Sequence, residues 1–155
     1  MNAFEIDLES LLRMIAAVVA GGAIGFNRDI NGKPTGIRAH ALVSLGAAIL
    51  VIAVSRPYLL LNDPAATSRV IQGIVAGVGF LGAGVILHAP MGLRVFHLTT
   101  AASLWATTGI GVLCGLGSVM LAGLATVLAL VVLVVGERLD KWLYGRSGIK
   151  DDDRE

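Results

Sequence analysis

Residues 73–87 read Gly-Ile-Val-Ala-Gly-Val-Gly-Phe-Leu-Gly-Ala-Gly-Val-Ile-Leu, five glycines in a stretch with no charged side chain. In a soluble helix each glycine costs about 1 kcal/mol relative to alanine. In hydrocarbon the backbone has no water to turn to, so a helix persists despite its glycines. At about 100° per residue, Gly73, Gly77 and Gly84 fall within about 40° of one another, and Gly79 and Gly82 lie on the far side. Both faces are smooth enough for a neighbouring backbone to approach closely. This stretch is therefore expected to be the central helix of a small membrane bundle.

Composition supports that setting. Of 155 residues, 55% are hydrophobic and 15% charged, too few charges to cover a soluble domain of this size. Mean hydropathy is +0.81. Several apolar runs of 16 or more residues fit a polytopic all-α membrane protein. A net charge of +1 gives no bulk attraction to nucleic acid. The single cysteine, Cys114, excludes an internal disulfide and a cysteine metal cluster. The acidic start, Asn2 to Ser10, lacks the basic head of a secretory signal, so no cleavage is expected.

Five spans are expected, at about 8–26, 39–54, 70–87, 98–116 and 119–135. Arg13 near the start of the first is expected to snorkel to the interface. Gly21 and Gly25 form one GxxxG pair, and Gly111 and Gly115 another. Gly32, Pro34 and Gly36 mark the first loop, and Asn62-Asp63-Pro64 the second. The fifth span is rich in Leu and Val and is expected to face lipid. Residues 1–136 thus form the transmembrane bundle. Residues 137–155 form an amphipathic interfacial segment, anchored by Trp142 and Tyr144, and a charged tail.

Lys and Arg set the orientation. Nine lie in the loops after spans one and three and in the C-terminal tail, against two in the loop after span two. This asymmetry places the C-terminus in the cytoplasm and the N-terminus outside.

Polar groups in or beside the spans are the functional pointers of such a protein. Asn27, Arg28, Asp29, Arg38 and His40 gather at the mouth of the first two spans. They read either as a cluster binding an anion or a partner, or as topogenic charge with loop capping. Thr99, Thr100, Ser103 and Thr107 form one stripe on the fourth span, with Trp105 away from it, and are expected to face Gln72 and the glycines of the third. They read either as a polar path or as interhelical hydrogen bonds worth ~0.6 kcal/mol each. His88 and His97 flank the third loop, too few ligands to define a metal site. The string Gly77-Val-Gly79-Phe-Leu-Gly82 matches a dinucleotide fingerprint only in letters, because it lies within a span. No nucleophile stands beside a base, no acid lies inside a span, and no enzyme, cofactor or metal is expected.

Four blocks carry a resemblance. Gly21-Gly-Ala-Ile-Gly-Phe-Asn-Arg-Asp29, Thr35-Gly-Ile-Arg-Ala-His-Ala-Leu-Val43, Gly73 to Ile86, and Leu98-Thr-Thr-Ala-Ala-Ser-Leu-Trp105 stand in the order and spacing of the MgtC/SapB family. The resemblance covers about residues 10 to 136 and implies a bacterial inner-membrane protein with five spans. It also implies a link to growth at low magnesium and, in pathogens, to survival inside macrophages. Members have been labelled magnesium transporters, but regulation of other membrane proteins and of membrane energetics is the better-supported view. Three positions depart from the family pattern. Asn27 stands where glutamate is usual, Ala39 where threonine is usual, and His97 or Phe96 where glycine precedes the Thr-Thr pair. Many members carry a soluble C-terminal domain, and the resemblance is to a short form without it.

The expected activity is regulation through helix–helix contact, with membrane lipid around the chain and a second copy or another inner-membrane protein as partner. Gly77→Leu or Gly82→Leu is expected to abolish assembly. The alternative is an oligomeric channel or transporter for Mg²⁺ or another small ion, whose flux would fall on Thr107→Val or Gln72→Leu.

Overall fold

The computed structural model describes residues 8–55, 64–86 and 97–147, and the surroundings of their side chains except at 64 and 144–147. The expectations for the second and third loops, His88, the Tyr144 anchor and the tail lie outside these. The described residues form five helices: α1 Leu8–Ile30, α2 Ile37–Ser55, α3 Pro64–Ile86, α4 Leu98–Gly115 and α5 Val119–Ser147. All five are long and apolar enough to cross a membrane.

Residue pairs along the helices give their directions. Arg28 meets Thr100 and Arg13 meets Gly115, so α1 runs antiparallel to α4. His40 meets Ser103, and Gly115 lies against Val51, so α2 runs parallel to α4. Alternating spans require this arrangement.

The central helix is α4, not the glycine-rich α3. It packs against all four others. Of its span, 56% is buried, against 17% for α3. Glycine permits close approach but does not create it. A methyl placed on Gly73, Gly77, Gly79 or Gly84 would meet nothing within 4 Å, and one on Gly82 would meet only the Ala101 Cβ at 3.5 Å. On α1 and α4 the glycines are in tight contact. A methyl on Gly21 would lie 2.6 Å from the His40 carbonyl oxygen, and one on Gly25 2.6 Å from the Ile37 Cα. One on Gly111 would overlap the Ser44 carbonyl, and one on Gly115 would lie 2.8 Å from the Val51 Cβ. Small residues dominate the innermost cluster, Ala17, Ile24, Ala48, Ile110, Cys114 and Ala122, which lets the backbones pack closely.

Two helix ends are longer than the hydropathy pattern indicates. α1 continues through Asn27, Arg28 and Asp29, which therefore form its last turns and not a loop. α5 continues unbroken to Ser147, so residues 137–146 extend the fifth helix and do not lie apart from it. Charged residues are good helix formers once the chain leaves hydrocarbon, and Glu137 pairs with Lys141 one turn on at 3.0 Å. The outward side of α5 exposes Leu121, Leu124, Val127, Leu128, Val131, Val132 and Val135.

Specific contacts secure the turns. α4 ends where Gly117 takes φ +84°, with Gly117 N–H donating to the Cys114 carbonyl at 2.9 Å and Ser118 N–H to that of Leu113 at 2.9 Å. Arg13 is not simply snorkelled. It pairs with Glu9 and donates from Nη1 to the Gly115 carbonyl at 3.1 Å, placing a cation at the negative end of α4. Between α1 and α2, Gly32 (φ +62°) and Thr35 (φ +60°) reverse the chain. The β-branched Thr35 is strained in that region. It is held because Asp29 Oδ2 accepts the first amide of α2, Ile37 N–H, at 2.9 Å. The Asp29 carboxylate also fills the space a side chain at Gly36 would need. Asp29→Ala removes this cap and is expected to cost about 1 kcal/mol, with Asp29→Asn retaining most of it, read as shifts in thermal melting.

Candidate functional site

The two polar groups that the sequence holds apart, at the mouth of α1 and α2 and along α4, meet in one network. Arg28 is in the last turn of α1, four residues past the buried Ile24 and therefore on the same inward face. It is only 6% exposed. Its Nη2 donates to Thr100 Oγ1 at 2.7 Å, while its Nε is buried without a hydrogen-bond partner among the described residues. Lys141 holds Glu137 of α5, whose charge also acts on Arg28. A guanidinium taken from water requires acceptors, and the Thr100 hydroxyl of α4 supplies one.

His40, in the first turn of α2, is fully buried. Its Nδ1 lies 3.1 Å from the Gly36 carbonyl oxygen and its Nε2 3.1 Å from Ser103 Oγ. Ser103 Oγ also lies 2.8 Å from the Thr100 carbonyl. Thr100 and Ser103 thus join α1, α2 and α4. One turn deeper, Ser44 and Thr107 are fully buried, with no hydrogen-bond partner for either hydroxyl among the described residues.

The other expected residues lie elsewhere. Asp29 caps α2, as described. Arg38 is exposed, and Asn27 is half-buried with its carbonyl accepting from Asn31 Nδ2 at 2.7 Å. Thr99 is exposed, lining with Ile24, Ala102, Ala106 and Leu133 an apolar recess of about 340 Å³ between α1, α4 and α5. Trp105 points outward, 57% exposed. Of the stripe, Thr100 meets α1 and Ser103 meets α2, neither meets Gln72, and Gln72 is exposed on α3. The reason is chemical: Arg28 and His40 offer hydrogen bonds, whereas the α3 glycines offer none. Within one chain Gln72 is exposed and Thr107 is fully buried.

Ser44 is absent from the sequence-based candidates. Its signal is the spacing His40–Ser44, one turn apart on one helical face. Among the described residues, no three His, Cys, Asp or Glu side chains gather in a way that could hold a metal.

Comparison with known proteins adds the following. A family model described as "MgtC family" matches residues 14–142. The chain is 41% identical over 120 residues to the protein MgtC of Salmonella typhimurium, covering 77% of this chain and 49% of the relative. It is 40% identical over 119 residues to the protein MgtC of Brucella abortus, covering 77% and 48%. It is 39% identical over 144 residues to the protein SrpB of Synechococcus elongatus, covering 84% and 78%. The chain spans about half the length of the MgtC relatives. No solved structure matches it.

Proposed function

The chain belongs to the MgtC family and is a multi-pass membrane protein, and from that premise we propose that it is a non-catalytic regulator acting on other membrane proteins by helix–helix contact. It works in a bacterial inner membrane, N-terminus outside and C-terminus in the cytoplasm, as the Lys and Arg distribution favours. The resemblance links it to growth at limiting magnesium and to intracellular survival. It acts without cofactor, metal or nucleic acid.

The observation that carries this reading is the open glycine surface of α3. Gly73, Gly77, Gly79 and Gly84 have open space where a side chain would be. Gly73 and Gly77 line an apolar groove of about 610 Å³ between α2 and α3, while Gly79 lies on the other side of the helix, the side of the exposed Gln72. On α3 these glycines alternate with the exposed Val75, Phe80 and Leu81, whereas the outer side of α5 is covered by large aliphatic side chains. Small residues let a second helix approach closely in lipid, and an amide there finds a partner across such an interface. The occupant is a second copy or another inner-membrane protein.

The structure separates two substitutions that the sequence treats alike. Leucine at Gly82 would press on Ala101 of the same chain, whereas leucine at Gly77 would point into open space. Gly77→Leu is therefore expected to leave helicity and melting unchanged but to abolish crosslinking of the chain to its partner in native membranes. Unchanged crosslinking in Gly77→Leu would count against the proposal. So would Mg²⁺, K⁺, phosphate or proton flux in proteoliposomes holding only this protein.

A further inference from the structure

His40 stands where two hydrogen bonds compete for one proton. A carbonyl only accepts, so the contact at 3.1 Å to the Gly36 oxygen means that Nδ1 carries a hydrogen. The Ser103 hydroxyl has a single proton and two acceptors in reach: His40 Nε2 at 3.1 Å and the Thr100 carbonyl at 2.8 Å. With neutral imidazole, Ser103 donates to Nε2. With imidazolium, Nε2–H donates to Ser103 Oγ, and the serine proton turns to the Thr100 carbonyl. The same heavy-atom positions satisfy both arrangements, which differ by the proton on Nε2 and a rotation of the Ser103 hydroxyl.

We infer that His40 and Ser103 form a proton-responsive switch inside the bundle, in which one proton taken up at Nε2 reverses the His40–Ser103 hydrogen bond and adds a second positive charge beside Arg28. The proton comes from water and remains on the imidazole, so no other bond is made or broken. Its signal reaches α1 because Thr100, whose carbonyl accepts the redirected serine hydrogen bond, also holds Arg28 through its hydroxyl.

The charged surroundings of the switch are few. From α1 the fields of Arg28 and Asp29 reach His40. α4 contributes only uncharged groups along its described length, with His97 at its head. α5 contributes Glu137, acting on Arg28. On α2 itself Arg38 is exposed. The only charged residue of α3, Arg69, sits in its first turns, at the opposite end from the start of α2. One added proton therefore changes the balance between Arg28 and the two acids, Asp29 and Glu137. This holds whichever partner the protein has.

The test is ¹⁵N NMR of histidine-labelled full-length protein in phospholipid nanodiscs between about pH 5 and 8.5, the range in which imidazole titrates. His88→Gln and His97→Asn leave His40 as the sole histidine, asparagine being chosen because His97 sits at φ +62°. The expected result is an Nδ1–H tautomer at high pH and both nitrogens protonated at low pH, with the Arg28 guanidinium signals moving at the same midpoint. Ser103→Ala is expected to displace that midpoint by about one pH unit, roughly tenfold in proton affinity. Ser103→Thr, which keeps the hydroxyl, is expected to leave it in place. An Nε2–H tautomer at high pH, no titration across the range, or the native midpoint in Ser103→Ala would each overturn the switch.

Discussion

Gly111→Ala is expected to leave little folded protein, while Gly109→Ala two positions away leaves yield and melting temperature unchanged. The methyl added at Gly111 would overlap the Ser44 carbonyl oxygen and crowd the Ser44 Cα at 2.9 Å, whereas one added at Gly109 would meet nothing within 4 Å. Overpacking a core typically costs ~1–3 kcal/mol, with side chains moving to relieve it. Here both sides of the contact are main chain, so relief requires α2 and α4 to separate, and the cost is at or above the top of that range. Separation would also break the His40–Ser103 contact one turn or two away. Domains have only about 5–15 kcal/mol in hand. Thermal unfolding in detergent, followed by circular dichroism, makes the comparison directly. Equal melting of the two variants would refute close α2–α4 packing.

The second large effect is expected from Thr100→Val, which keeps the shape of the side chain and removes its hydroxyl. Thr100 Oγ1 is the only acceptor that Arg28 reaches within hydrogen-bond distance among the described residues. A hydrogen bond to a charged group contributes about 1.5–3 kcal/mol, and a buried cation left without it bears its desolvation unrelieved. Thr100→Val should therefore destabilise the chain by that amount. Arg28→Met in the same chain should recover most of the loss, because an apolar side chain in that place needs no acceptor. Melting temperatures of the two single variants and the double variant form a thermodynamic cycle. Additive losses would show that Arg28 and Thr100 do not act together.

Both expectations depend on pairings that hydropathy cannot reveal. The spacing of Gly111 and Gly115 is legible as a close-contact pattern, and so is that of Gly73 and Gly77. Yet α2 fills the first and nothing within the chain fills the second. Helical periodicity states which residues share a face, but not which helix lies across from it. The polar residues follow the same rule. Arg28, His40, Thr100 and Ser103 are all recognisable as polar groups in apolar surroundings. That they form one network, while Arg38, Thr99 and Gln72 stay outside it, follows from the directions of three helices. Asp29 is recognisable as a charge in a loop-like stretch, but its service to an amide eight residues on depends on the turn at Gly32 and Thr35.

What the sequence by itself determined is the solvent and the count of elements. Long apolar runs in lipid must close their backbone hydrogen bonds internally, so five such runs become five helices, whatever their neighbours. Four motif blocks in register likewise placed the chain in its family. Only the tertiary structure decided that α4 is the axis of the bundle, that four of the five glycines in residues 73–87 meet nothing within 4 Å, and that Arg28 and His40 share the α4 hydroxyls. Lipid is as apolar as leucine, so hydrophobicity does not rank one helix face above another for burial. That ranking is set by close backbone fit and by the few polar groups that need partners, and both exist only once the helices are side by side.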